Sequence, residues 1–376
     1  MSEASNHRGT ERKAAIAKSQ SKGRQIVGVL PIHYPKALFT ALDLHAVELW
    51  GPPGPPAGPA AGRIQSYVCP LVRNALAFLA SGKADDLDAL LVPHTCDSLQ
   101  GLATLLTDFG GWPKPVLTFL HPKGEARPSS RVFAVAELRV LSEKLEKLAG
   151  KQLNPDSLRA AMGLHKRIDA ITSDLLTHRS RLEVPDAGFY ALLRRGEYLW
   201  PEDHLAELTL AHKALGSEPR QHGVPLLVTG YVPEPMAILD ILAEAGAYLA
   251  ADDYAAIGRR IGGYENVDPS TGDPFETLAA TLFRSPPCPT RSADSSVRMA
   301  HLTRLAERSG ARGVLIHTVK FCEPELFDIP ALRKTFAALK LPFLHLEGEL
   351  EAKLSMQAST RLEAFVEMLG AGKVVA

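Results

Sequence analysis

The 376-residue chain reads as an α/β protein of two Rossmann-like, doubly wound domains with a helical segment between them. Three observations predict this. Short, unbroken apolar runs alternate with helical stretches, as strands covered on both faces and joined by crossover helices do. A central segment carries two long helical patterns. One string, an apolar strand followed by His-Thr, a cysteine and an acidic residue, occurs once in each half: LLVPHTCDS at Leu90–Ser98 and VLIHTVKFCEP at Val314–Pro324.

Residues 1–24 are polar and basic without an apolar run, which predicts a disordered tail rather than an export signal. An N-terminal α/β domain is expected over 25–130, with strands at Gln25–Leu30, Ala89–Val92 and Pro115–Leu120. Within it, the Gly51–Gly62 stretch (GPPGPPAGPAAG) lacks the lysine and hydroxyl of a phosphate-binding loop and is assigned no nucleotide role. Residues 131–217 form the helical segment. Leu138, Leu141, Leu145 and Leu148 make one apolar stripe, and Asn154-Pro155 supplies a cap and a first-turn proline for the next helix. The C-terminal α/β domain, 218–376, has strand candidates at Pro225–Val228, Ala247–Ala250, Gly313–His317 and Pro342–Leu346.

Bulk properties narrow the function. Lys+Arg and Asp+Glu are equal at 42 each, so no overall field attracts nucleic acid or an acidic membrane. No apolar run approaches the roughly 18 residues of a membrane span. Four cysteines are too few for a disulfide-stapled secreted fold, and without an export signal the expected location is the cytoplasm, where thiols stay reduced. No C-x-x-C occurs, so spacing alone favours four small buried residues.

The residues just after each cysteine carry more information. Cys69 precedes Pro70, Cys96 precedes Asp97-Ser98, and Cys322 precedes Glu323-Pro324, with the next helical run expected, after a short loop, at Ala331–Leu339. Proline or an acidic residue is helix-start chemistry, and a thiolate there faces free backbone N–H groups that lower its pKa. Three such cysteines at the carboxyl ends of strands have a route to one point between two domains, where thiolates suit a soft metal or cluster. Three ligands leave one iron of a four-iron cube open. Zinc competes, with His94 or His33 as its fourth ligand. Cys288, between Pro287 and Pro289, is read as structural or as a neighbour of the ligands.

The C-terminal motifs Lys320-Phe321-Cys322-Glu323-Pro324, Leu346-Glu347-Gly348-Glu349 and Gln357 to Phe365 resemble those of the 2-hydroxyacyl-CoA dehydratase family, which includes the benzoyl-CoA reductase cluster subunits. Pro93 to Asp97, Tyr67 to Pro70 with Arg73, and Asp252-Asp253-Tyr254 with Gly258-Arg259 agree in the same order. The resemblance implies two Rossmann-like domains and a 4Fe–4S cluster on Cys69, Cys96 and Cys322. It also implies a related second cluster subunit, a separate ATP-dependent iron–sulfur activator, and an acyl-CoA substrate. In such systems one low-potential electron turns the thioester carbonyl into a ketyl radical anion that expels the 2-hydroxyl group, or electrons enter an aromatic ring. Lys320 is then a candidate for stabilising a reduced cluster or a CoA phosphate, or a solvated strand-end lysine. His33 and His94 are candidates for donating to the thioester or the cluster, or simply packed in loops. Gln357, Thr360 and Arg361 start a helix that either binds substrate anion or is merely capped. Glu347 orients a neighbour across the domain interface or pairs with an arginine. One departure stands out: Ala37 replaces the glutamate of the family's Pro-x-Glu-Leu segment. That favours an electron-relaying subunit whose mate binds substrate, and it leaves a non-catalytic electron carrier as the alternative.

Overall fold

The computed structural model describes residues 3–50, 62, 64–109, 111–351 and 353–371; the Gly51–Gly62 loop lies outside them except for its last residue. A helix, Glu3–Gln20 (α1), opens the chain. Then β1 (Ile26–Val29), α2 (Lys36–Ala41), β2 (His45–Glu48), α3 (Pro70–Ala80), β3 (Ala89–His94), α4 (Asp97–Thr104) and β4 (Val116–Leu120) build the first α/β unit. Its sheet is parallel throughout, in the order β2-β1-β3-β4. Helices α5 (Pro128–Ala149), α6 (Pro155–Thr177), α7 (Asp186–Arg194) and α8 (Pro201–Lys213) come next. The second unit comprises β5 (Val224–Gly230), α9 (Ala237–Glu244), β6 (Ala247–Tyr254), α10 (Pro274–Arg284), α11 (Ser295–Ser309), β7 (Gly313–Val319), α12 (Glu323–Ala338), β8 (Phe343–Gly348) and α13 (Met356–Ala371). Its parallel sheet repeats the pattern as β6-β5-β7-β8. The doubly wound α/β class predicted from the alternation is the one observed.

The repeated order explains the sequence echo. β3 and β7 are the third strands of their sheets, each central and almost wholly buried, so the two cysteine-bearing loops leave equivalent sheet positions. Asn154 caps α6 as expected, its side chain accepting from the Asp156 N–H at 2.8 Å.

Three differences from the sequence reading have physical causes. Residues 3–20 form a helix instead of a disordered tail. Its one strong apolar anchor is Ile16, 2% exposed, and the remaining hold is polar. Glu11 accepts from Arg195 at 2.5 Å and from the Tyr198 hydroxyl at 2.7 Å, while Lys18 pairs with Asp203 at 2.8 Å. β2 escapes a reading of the sequence, because four residues carrying a histidine and a glutamate give no apolar run. The helix after Cys322 starts at once, without a loop, and runs through Pro330. Packing also crosses the boundary expected at residue 218: Leu278, Ala279 and Leu282 of α10 share a core with Val27, Val29 and Leu138 of the first half. A second core joins both sheets, with Leu30 and Val92 alongside Leu226 and Leu315. Among the described residues, no helix is long and apolar enough to cross a membrane.

Candidate metal centre

Each of the three cysteines occupies the N-cap of a helix. Cys69 precedes α3 with Pro70 in its first turn, Cys96 precedes α4 from an extended backbone (φ −143°, ψ 166°), and Cys322 precedes α12. The Cys322 turn is set by Phe321, a non-glycine residue at φ 60°, which brings the Cys322 N–H back to the Val319 carbonyl at 3.0 Å. A side chain held in that left-handed region carries a modest strain of about 1 kcal/mol or more. Cys69, Cys96 and Cys322 then line a single cleft between the two α/β units, with Thr95, Tyr231 and Phe321 among its walls.

The electrostatics differ from the sequence expectation. Backbone N–H groups of Leu71 and Val72 do favour the Cys69 thiolate, but burial outweighs them and pushes the thiol up to about 12. Burial also raises Cys96, and it raises Cys322 well above the ordinary thiol value, with Cys69 adding to the effect. The helix starts therefore reduce a penalty that burial dominates. Two buried thiols and the half-buried Cys96, each facing helix N–H groups, form a donor set that a positively charged soft centre would complete, displacing their protons on binding. This set fits a cluster held by three thiolates. Among the described residues, no group of three or more His, Cys, Asp or Glu side chains is placed to hold a single metal ion. Neither His33 nor His94 lines the cleft, so neither is positioned as a fourth zinc ligand there.

Cys288 lies apart from the lining. It is fully buried, 3.0 Å from the Thr290 hydroxyl and 3.8 Å from Arg259 Nη1. Arg259 belongs to a buried lattice in which it donates to Asp253 at 3.0 Å, to Thr229 at 3.1 Å and to both oxygens of Glu325, in the first turn of α12. Arg298 donates to the same Asp253 and Thr229, each at 3.0 Å. That lattice fixes the start of α12, and with it Cys322.

His33 is 7% exposed and lines a second cavity, bounded by the β1–α2 loop and the helical segment. Its backbone (φ 46°) comes directly after Ile32 at φ 99°, and burial beside Arg291 and His121 keeps its imidazole neutral. The hub beside this cavity is Glu48. Its buried carboxylate accepts from Tyr34 at 3.1 Å and Trp50 at 2.8 Å, and pairs with Lys36 at 3.0 Å and Arg260 at 2.9 Å. Ala37 is fully buried in the apolar layer and lines neither cavity.

The other candidates lie outside the cleft lining. Lys320 pairs with Glu349 at 3.4 Å. Gln357, Thr360 and Arg361 are exposed on α13, Arg361 donating to the His345 carbonyl at 3.0 Å. Glu347 is exposed on β8; its neighbour Glu349 bridges the domains near the cleft, taking Arg73 of α3 at 2.9 Å, while Asn74 donates to the Leu350 carbonyl at 3.3 Å. Sequence reasoning misses Tyr231 and Glu349 as functional candidates. The only local signal for Tyr231 is a glycine and a tyrosine closing an apolar strand.

Fold and site together define a two-sheet α/β protein whose domains close on a buried, three-thiol cleft. The family model for 2-hydroxyglutaryl-CoA dehydratase, D-component, matches residues 31–369, and the chain belongs to that family. It is 26% identical over 352 residues to lactoyl-CoA dehydratase subunit beta of Anaerotignum propionicum, covering 92% of each chain. To (R)-2-hydroxyglutaryl-CoA dehydratase subunit beta of Acidaminococcus fermentans it is 24% identical over 369 residues, covering 95% of this chain and 96% of the relative. To one of the subunits of the Thauera aromatica benzoyl-CoA reductase it is 26% identical over 339 residues, covering 87% of this chain and 86% of the relative. The chain is accordingly an enzyme subunit of the dehydratase–reductase kind. Equal identity to a dehydratase and a reductase leaves the choice between them to chemistry.

Proposed function

We propose that this chain is the iron–sulfur subunit of a 2-hydroxyacyl-CoA dehydratase or an aryl-CoA reductase, holding one 4Fe–4S cluster on Cys69, Cys96 and Cys322. The observation that carries the reading is the convergence of three helix-capping thiols on one interdomain cleft. When bound, the cluster supplies a low-potential electron for a CoA thioester. The chain's own part is to present three thiolates, to shield the centre with Tyr231 and Phe321, and to fix Cys322 through the Arg259–Glu325 pair beneath it. The beta-subunit names of two relatives support a related second subunit as partner. An ATP-dependent iron–sulfur activator, an acyl-CoA substrate and a cytoplasmic setting complete the system.

The test is anaerobic co-expression with the partner subunit, then iron and acid-labile sulfide analysis. About four of each per chain are expected. Serine at Cys69, Cys96 or Cys322 should abolish most of both. Iron-free protein prepared under strict anaerobiosis would sink the reading. Stoichiometric zinc without labile sulfide would replace it with a zinc site.

A further inference from the structure

We propose that Tyr231 donates a hydrogen bond to the sulfur atoms of the centre held by Cys69, Cys96 and Cys322, and thereby raises its reduction potential; this rests on the cluster reading above. Tyr231 directly succeeds Gly230, the last residue of β5, at the carboxyl edge of the second sheet. Its side chain is 3% exposed and forms part of the wall of the thiol cleft. The ring stands edge-on to Trp50, centroids 5.7 Å apart, and Trp50 is pinned by its own bond to Glu48. The phenol is therefore held in place by the first domain as well as by its own.

Four other buried or half-buried tyrosines use their hydroxyls within the protein. Tyr34 bonds to Glu48, Tyr190 to Asp252, Tyr198 to Glu11, and Tyr254 to His317. The Tyr231 hydroxyl has no hydrogen-bond partner among the described residues. The hydroxyl is not sealed away from the cleft that Tyr231 lines, so its donor is available to an acceptor bound there. A phenol is ordinarily uncharged at neutral pH, so it serves as a donor and not as an anion. Donation to sulfur stabilises the more negative, reduced form of the centre. Hydrogen bonds to the sulfurs are one of the levers that set such potentials.

Tyr231→Phe keeps the ring and removes only the donor. Redox titration of anaerobically loaded protein should show the variant's midpoint displaced to more negative potential by about a tenfold change in the reduction equilibrium, about 59 mV for one electron. An exchangeable proton coupling to the reduced centre, seen by electron–nuclear double resonance after H₂O/D₂O exchange, should disappear with it. Tyr190→Phe, which removes a buried hydroxyl bonded elsewhere, should leave both readouts in place. A loaded Tyr231→Phe protein with unchanged potential and coupling overturns the assignment and leaves the cluster reading standing. Should that variant not load, wild-type protein grown on ring-fluorinated tyrosine, whose more acidic phenol is a stronger donor, gives the answer: a midpoint moved to more positive potential supports the assignment, and an unchanged midpoint overturns it. Wild-type protein without iron overturns the cluster reading and this assignment together.

Discussion

Cys288 and Cys322 both adjoin the same arginine lattice, and their surroundings give them different work. Cys288 packs against Thr290 and Arg259, its sulfur engaged by neighbours within the protein. Cys322 faces the cleft, 6% exposed, and its charged form is opposed by burial and by Cys69 and Cys96. Removing Cys288 therefore deletes a packing and hydrogen-bonding group, whereas removing Cys322 deletes one of the three proposed cluster ligands. Cys288→Ala should retain the full iron content and lose about 1 kcal/mol of stability by denaturant titration. Loss of iron in Cys288→Ala would give that cysteine a direct role in ligation. At this scale the helix-capping place of the three cysteines is legible in the sequence, because helix-start residues are local chemistry readable beside each one. Tyr231 and Glu48 are invisible in it because their importance lies in contacts made far along the chain, and Glu349 is legible only as part of a motif, without its partners. Ala37 is legible only as a departure from a motif. Its burial in the apolar layer supplies the missing context.

The elements carrying the thiols belong to different domains, so their spacing depends on what bridges the domains near the cleft. Glu349 takes Arg73, four residues beyond Cys69, and Lys320, two residues before Cys322. Both pairs are partly exposed, and such pairs contribute about 0–1 kcal/mol to stability. Their effect on cleft geometry should exceed their effect on folding. Arg73→Ala should leave the melting temperature nearly unchanged but speed iron release to a chelator by about fivefold, the equivalent of roughly 1 kcal/mol; Arg73→Lys should restore part of the loss. Equal release rates in all three proteins would remove the bridge from the account. Gly230 sets a stricter limit. A Cβ there would lie 1.9 Å from the His317 carbonyl oxygen across the β5–β7 ladder. Gly230→Ala should cost about 3 kcal/mol or more in chemical denaturation, since backbone, not a flexible side chain, blocks the space. A cost below about 1 kcal/mol would mean that the ladder yields there. Most strands are readable as elements because their apolar runs are continuous. β2 and α1 are not, since a short edge strand and a polar-faced helix gain their stability from tertiary partners.

The whole molecule holds its helical segment against the second sheet partly through ionisable groups sealed from water. Tyr190 of α7 donates to Asp252 of β6 at 2.6 Å, and the other carboxylate oxygen accepts from Gly258 N at 2.7 Å and Tyr254 N at 3.1 Å. Burial pushes the Asp252 carboxyl from an ordinary 3.8 up to about 7, against the pull of those three donors. An acid whose folded pKa is raised binds its proton more tightly when folded, so its contribution to stability is fully present below the unfolded value. It is lost progressively as pH rises from about 4 through about 7. Above that range the folded protein carries a buried carboxylate that the unfolded chain would solvate freely. Asp252→Asn replaces the titrating group with a neutral amide whose oxygen can still accept from Gly258 N and Tyr254 N. Its amide nitrogen can donate to the Tyr190 oxygen. The stability difference between variant and wild type should therefore move in the variant's favour across that pH window, by a few kcal/mol in total. Thermal melts of both proteins over about pH 4 to 8 measure this directly. Parallel curves would mean that Asp252 titrates at its ordinary value and that water reaches the joint between helices and sheet.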